Sequence, residues 1–310
     1  MASRDYFSTM LQQGDPKGRH KTLTLLQSFH HEASVSCPVT LTHRGPLMKS
    51  SPTDPIAVKP RRFVAEVADS LDDIREAQAL RYRVFSGEMG AHLHTLIEGL
   101  DYDEVDDYCD HLLVKDLTTG RIVASTRLLP DTGAARLGHF YSEGEFHIEK
   151  VLALPGRFLE IGRTCVDPDY RGSVVLSALW NGLAAYACSR RFDYLMGCAS
   201  ISPGPSGFAV DAVYRQIKPE QFGPSELHVR PKTPVPDTLR CVRDESGIPP
   251  LLSAYLRLGC WILGEPCLDA DFNVMDVFIL LDLSRLQERY ERRFVATQPE
   301  TDRAVFSGLV

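Results

Sequence analysis

From Arg61 onward the chain sorts into short apolar runs with polar punctuation, and the period of each run predicts an element. Phe63–Ala68 reads as a strand. Asp69 or Ser70 then stands where an N-cap would sit, ahead of Ile74, Ala77, Leu80, Tyr82 and Phe85 at helical spacing. An acidic loop from Glu98 to Asp107 leads into two apolar runs, His111–Lys115 and Ile122–Leu129. Thr118-Thr119-Gly120 between them is a hairpin signal. A further strand, Phe158–Val166, runs into Asp167-Pro168-Asp169-Tyr170-Arg171-Gly172, a long helical segment Ser173–Ser189, and the strand Tyr194–Ser200. Residues 203–247 are Pro-rich and irregular, with a short helix around Val210–Gln216. A helix from Pro249 to Leu258, a strong strand Val274–Leu283 and a charged helical segment Arg285–Arg293 follow. This order is an α+β plan around one mixed sheet.

Residues 1–60 carry no sustained period and are punctuated by Pro16, Pro38, Pro46, Pro52, Pro55 and Pro60. They read as a basic, poorly ordered leader with one short helix near Thr22–Glu32. Residues 61–284 read as the folded domain, and residues 285–310 as a charged helix and tail. The whole chain has a net charge of −7, which argues against nucleic acid as the main partner. Residues 1–62 are nevertheless at +5, which would suit the anionic inner face of a membrane, an acidic carrier protein, or a merely solvated tail. The eight cysteines include no C-x-x-C pair and no zinc-type spacing, so no metal site is expected. No secretory signal is visible. The longest low-charge run, Val174–Ser189, is shorter than the roughly 20 residues of a membrane span. A cytoplasmic protein, peripheral on the inner membrane at most, is the expectation.

Three places could carry chemistry. A strand turning into a helix at Tyr170-Arg171-Gly172 offers unpaired backbone N–H groups, the positive end of a helix dipole and a cation, which suits a phosphate. A surface cation beside an ordinary turn is the competing reading. Glu160 and Arg163 lie in an apolar strand, where charges are costly unless paired or used. Glu160 could take a proton from an attacking amine and Arg163 could hold a carboxylate; structural ion pairs with Arg127 or Asp106 are the alternative. Strict alternation sends Arg163 to the face opposite Glu160 unless a bulge intervenes, and Gly162 is where one is expected. The acidic loop with Asp101, Asp103, Asp106, Asp107 and Asp110 lacks the spacing of a calcium loop, so its carboxylates read as solvated or capping, with one or two available to a cationic amino acid. His92, His94 and His111 read as structural, and Cys165 lacks a base for a thiol nucleophile.

Several of these residues, taken in order, resemble a known family. Leu80-Arg81-Tyr82-Arg83-Val84-Phe85, the Glu98…Asp101…Asp103…Asp106 loop, Thr126-Arg127-Leu128-Leu129-Pro130 and Leu159-Glu160-Ile161-Gly162-Arg163 resemble the acyl-homoserine-lactone synthases. Asp107–Val114, Gly138–Phe146, Gly197-Cys198-Ala199-Ser200 and Pro249–Gly259 extend the match to the L-ornithine Nα-acyltransferases, over about residues 62–284. The resemblance implies a GNAT (acyl-CoA N-acyltransferase) fold, a mixed central sheet flanked by helices, with a C-terminal extension. It implies transfer of a (3-hydroxy)fatty acyl group from acyl carrier protein to the α-amine of L-ornithine, giving lyso-ornithine lipid. No cofactor is implied beyond the carrier's phosphopantetheine thioester, which is a co-substrate. By analogy Glu160 would be catalytic, Arg81, Asp103, Asp106, Arg127 and Arg163 would organise the substrate pocket, and Val166, Arg171 and Gly172 would meet the phosphopantetheine arm. Gly172 stands alone where coenzyme A users carry a fuller glycine pattern, which favours a carrier-protein donor. Acylation of glycine or another amine is the alternative within the class, and a non-catalytic lipid- or carrier-binding protein is the alternative outside it.

Overall fold

The computed structural model describes residues 62–241 and 247–285. The leader and most of the C-terminal helix and tail expected from the sequence lie outside these residues. Ser70 caps the first helix as expected, accepting from the backbone N–H of Asp73 at 3.1 Å.

In chain order the elements are β1 (Phe63–Val67), α1 (Leu71–Tyr82), β2 (Asp110–Asp116), β3 (Ile122–Pro130), α2 (Asp131–Leu137), β4 (Phe146–His147), α3 (Glu149–Leu152) and β5 (Phe158–Val166). They continue with α4 (Ser173–Ser189), β6 (Tyr194–Ile201), α5 (Val210–Gln216), β7 (Arg230–Pro231), α6 (Pro250–Leu258), β8 (Trp261–Ile262), β9 (Cys267–Asp269) and β10 (Val274–Asp282). The main sheet runs β1-β2-β3-β5-β6-β10-β8, with β9 also paired to β10 and a separate β4–β7 ribbon. Every neighbour in it is antiparallel except β5–β6, the one parallel pair, which needs the crossover that α4 supplies. Among the described residues no helix is long and apolar enough to cross a membrane.

Alternation assigns each side chain to a face. One face carries Glu66, His111 and Lys115, and α1 lies over it, since Lys115 Nζ reaches Asp73 at 3.0 Å and Arg81 reaches His111 Nδ1 at 3.3 Å. The other face is covered by α4, where Gly182 is pressed against Ala65 and Leu112. Beyond α4 it is covered by the cluster of Val210, Val213, Leu252 and Leu256 on Ala199, Val277 and Ile279. The first face then continues along the sheet through Arg127, Glu160, Cys198, Ser200 and Asp276, which are brought to one side by their registers.

The sheet is not continuous between β5 and β6. Only Phe158↔Tyr194, Leu159↔Leu195 and Glu160↔Met196 pair, after which the strands separate while β3 and β10 stay bonded to their outer edges. Gly197 sits at the point of parting with φ 159°, and a Cβ there would fall well inside contact distance of the Ile161 carbonyl oxygen. Gly197→Ala should therefore destabilise the fold by about 1–3 kcal/mol. A denaturant midpoint equal to that of the unsubstituted protein would show that the two backbones do not need this approach.

Candidate active site

The separation opens a cleft whose polar lining comes from Glu160 to Thr164 on β5, Cys198 to Ser200 on β6, Arg127, and the acids Glu145, Asp269 and Asp276. Phe85, Met89, Leu251, Tyr255 and Phe272 form an apolar wall.

A β-bulge shapes β5 here. Arg127 faces Gly162 and Ser125 faces Cys165, so Arg163 and Thr164 together oppose Thr126. Arg163 takes φ 51°, a left-handed conformation that costs a non-glycine residue about 1–2 kcal/mol. Thr126 Oγ1 stabilises the bulge by donating to the Gly162 carbonyl at 3.2 Å and lying 2.7 Å from Thr164 Oγ1. Its effect is to bring Arg163 onto the face of Arg127 and Glu160. There the guanidinium lies 3.5 Å from Asp101 and 3.7 Å from Asp103, donates to Tyr141 Oη at 3.3 Å and stacks on Phe272 at 4.6 Å.

Behind it is a buried ion network. Arg81 is fully buried and donates to Asp101 Oδ2 at 2.8 Å, the Asp101 carbonyl at 2.5 Å and Asp106 Oδ1 at 2.6 Å. Arg127 donates to Asp103 at 2.6 Å and Asp106 at 3.1 Å. These guanidiniums hold the Asp106 carboxyl well below the usual range despite burial, and the acids hold Arg127 above its own. Burial and the Arg81 charge together push His111 down, so it is a neutral member of the network. Thus the five residues expected to organise the pocket do come together, with Asp101 and His111 added. Only Arg127 and Arg163 of them line the cleft; Arg81, Asp103 and Asp106 act from behind.

Neither structural ion pair open to this strand forms: Glu160 is not paired with Arg127, whose partners are Asp103 and Asp106, and Arg163 stands beside Asp101 and Asp103 rather than Asp106. Glu160 is 3% exposed, and its carboxylate ties down the single turn of 3₁₀ helix at Tyr141–Gly144. Oε2 accepts from the Tyr141 N–H at 2.6 Å, and Oε1 accepts from the Ser142 N–H at 2.7 Å and from Ser142 Oγ. A carboxylate has about four lone-pair sites, so one on Oε2 remains open. Burial raises the Glu160 pKa, and the Ser142 and Tyr141 hydrogen bonds work against that rise.

Val166, Arg171 and Gly172 are not among the residues lining the cleft. Val166 is a fully buried core residue opposite Ala124, and Arg171 is ion-paired with Glu88, a carboxylate the sequence gave no reason to expect there. Gly172 is the N-cap of α4 and offers no side-chain cap.

Sequence reasoning passed over Glu145, Asp269 and Asp276. Their ligand oxygens all lie within 4.8 Å of one another. Burial is the main cause that pushes both Glu145 and Asp276 well above the ordinary carboxylate range; the charges of Asp276 and Asp269 add to it at Glu145, and that of Asp269 at Asp276, where Ser200 and Glu145 act in the opposite sense. Asp276 was findable, since it is a lone acid in the apolar strand Val274–Leu281, the same signal that marked Glu160. Glu145 follows a single turn of 3₁₀ helix and Asp269 ends a three-residue strand, elements too short to give such a signal.

A mixed sheet parted at its parallel pair, with a charged and an apolar wall inside the gap, defines an N-acyltransferase of the GNAT class. A family model described as an acetyltransferase (GNAT) domain matches residues 80–181. The L-ornithine N(alpha)-acyltransferase of Rhodobacter capsulatus is 33% identical over 261 residues, spanning 79% of this chain and 99% of that protein. That of Agrobacterium fabrum is 36% identical over 235 residues, spanning 70% of this chain and 80% of that protein. Among solved structures, an N-acyl amino acid synthase from uncultured soil microbes overlays with a TM-score of 0.45 at 12% identity, spanning 73% of this chain and 94% of that one. The chain belongs to the L-ornithine N(alpha)-acyltransferase family, and it is an acyltransferase enzyme.

The raised carboxyls make stability depend on pH. Unfolded carboxylates ionise near pH 4, whereas Asp276 and Glu145 keep their protons to higher pH in the fold. The native state therefore binds more protons above pH 4, and stability falls as pH rises. Asp276→Asn should flatten this fall and raise the melting temperature at pH 8 by about 2–4 °C, the equivalent of roughly 1 kcal/mol. Parallel melting-temperature curves for both proteins from pH 5 to 9 would contradict it.

Proposed function

We propose that the protein transfers a (3-hydroxy)fatty acyl group from the phosphopantetheine thioester of acyl carrier protein to the α-amine of L-ornithine, giving lyso-ornithine lipid and free carrier thiol. The acceptor is the one in the names of the relatives. The observation that carries the chemistry is the β5–β6 opening, because it sets an apolar wall for an acyl chain beside ionic groups for an amino acid.

The amine nitrogen attacks the thioester carbonyl, the C–N bond forms, the C–S bond breaks and sulfur leaves as a thiolate, which takes up the proton the amine gave to Glu160 and becomes the free thiol. The thioester is already activated, so positioning and one proton are what the enzyme has to supply. The reaction balances without any further cofactor. Glu160 is the acceptor of the amine's proton through the open site on Oε2, directly or by one water, and its burial raises it toward a useful basicity. Backbone N–H groups of β5 freed by the parting serve the thioester oxygen as its negative charge develops. Arg163 takes the α-carboxylate, since it is the cleft guanidinium whose carboxylate neighbours stand at 3.5 and 3.7 Å rather than in close contact.

The carrier arm would enter along β5. Strands rise about 3.3 Å per residue, so β5 ends about 10 Å beyond the bulge, and the turn that follows it leads to Gly172, where an extended arm could set its phosphate. Arg171 would then exchange Glu88 for that phosphate. The +5 charge of residues 1–62 suits an acidic carrier or the anionic inner face of the membrane.

Incubating the full-length protein with 3-hydroxyacyl carrier protein, or the matching coenzyme A thioester, and a panel of amino acids tests the reading. Free carrier thiol should appear with ornithine. Faster release with glycine would reassign the acceptor, and tight carrier binding without release would make the protein a binder. Glu160→Gln should lower kcat by about 10²-fold or more, change the ornithine KM far less and abolish the acid limb of the pH profile. An unchanged kcat in a protein with native circular dichroism would remove Glu160 from the chemistry.

A further inference from the structure

We infer that Glu145, Asp269 and Asp276 form the subsite for the side-chain ammonium of a dibasic amino acid, and so set the enzyme's choice among amine acceptors; this rests on the acyl-transfer reading above.

The three acids come from distant parts of the chain: the end of the Tyr141–Gly144 turn, the end of β9 and the middle of β10. All line the cleft, and their oxygens converge within 4.8 Å. Such a cluster is costly unless something positive completes it. Nothing among the described residues does. Arg163, whose field reaches Glu145 and Asp276, stands instead beside Asp101 and Asp103.

Independent of the clustering, Asp276 is 3% exposed and its Oδ1 has no hydrogen-bond partner. Glu145 Oε2 is likewise unpartnered. A buried oxygen left open on a cleft wall is unusual and calls for a donor. An ammonium supplies three N–H donors, enough for the two open oxygens and Asp269, and its positive charge favours the ionised form of the raised Glu145 and Asp276 carboxyls. Asp269 is held in place for this by the Asp271 and Phe272 N–H groups, which both bind its Oδ1, at 2.9 and 3.0 Å.

The chemistry decides which ammonium. The α-amine must become neutral to attack, and a cage of carboxylates would stabilise its charged form and raise its pKa. A side-chain ammonium stays charged throughout and gains from the same cage without cost to the reaction. Arg163 for the α-carboxylate, Glu160 for the α-amine and the acidic trio for the far end give a dibasic amino acid three separate anchors on one face of the sheet.

The test compares L-ornithine with L-norvaline, which has the same skeleton and no side-chain amine, in full-length protein with acyl carrier thioester. The unsubstituted enzyme should prefer ornithine by at least about 10³-fold in kcat/KM, as buried polar groups left unpaired reject the shorter analogue. In Asp276→Asn, and separately in Asp269→Asn, which preserves the acceptor for both turn N–H groups, the ornithine-to-norvaline ratio should fall at least tenfold. Ratios that stay put in both folded variants would overturn the subsite. So would loss of the preference on chelation with its return on adding magnesium or calcium, which would make the trio a metal site. Failure of the unsubstituted enzyme to acylate any amino acid would sink the acyl-transfer reading instead. Should either variant fail to fold, ornithine's protection of the unsubstituted enzyme against thermal unfolding, measured against norvaline's, decides: equal protection overturns the subsite.

Discussion

The molecule depends on one place where a sheet is made to stop pairing. Parallel strands β5 and β6 hold together for three residue pairs and then part, although each remains bonded along its outer edge. Gly197 lets the two backbones touch at the point of parting, and the bulge at Gly162–Thr164 turns β5 out of register with a straight partner. Unpaired strand edges inside a fold are a liability, so the gap persists only because the flanking strands fix both edges. The apolar wall, the cationic wall and the acid cluster all exist because this space does.

The same bulge explains how charge is handled. Without it Arg163 would emerge on the α4 face, away from Arg127 and Glu160. With it the residue adopts a left-handed backbone, a strain that the surroundings over-determine through Thr126, Tyr141, Phe272 and the Asp101–Asp103 pair. Arg81 and Arg127 then serve a different end. They pair with three carboxylates of the Asp101–Asp106 loop in a setting where isolated charges could not remain, and this fixes the loop that Arg163 leans on. Removing one member would leave its partners buried and unpaired, so the network acts as one unit behind the cleft.

Much of the fold was legible because its elements carry strong local signals. Phe158–Val166, Ser173–Ser189 and Val210–Gln216 fall where the apolar periods placed them, and the Gly162 bulge followed from a glycine beside two charges in a strand. The chain from Asp131 to Arg157 was not legible. Its helices α2 and α3 are only seven and four residues long, too short for a period to register, and the Tyr141–Gly144 turn owes its place to a carboxylate on a distant strand. Within the site, Glu160 and Arg163 could be read as charges in an apolar strand, and Asp276 carried the same signal unread; Asp103 and Asp106 came through the resemblance, and Glu145 and Asp269 not at all. Arg171 shows the limit from the other side: a cation at a helix N-terminus looks free in sequence, and Glu88 from the turn after α1 is what it meets.

Glu160 gathers these threads, since one carboxylate is asked to do two things. It anchors the Tyr141–Ser142 turn, and through that turn it positions Tyr141 against Arg163 and Glu145 near Asp276. Each bond it accepts favours its charged form and weakens it as a base, while burial acts in the opposite sense and wins. A group held this way cannot swing to find its proton, so the amine has to be brought to it. That requirement is met if the acceptor is gripped at both other ends, by Arg163 and by the acidic trio, leaving the α-nitrogen as the one point free to meet the open lone pair of Oε2. Specificity for a long dibasic amino acid and competence of an immobilised carboxylate as a base are, on this geometry, the same constraint.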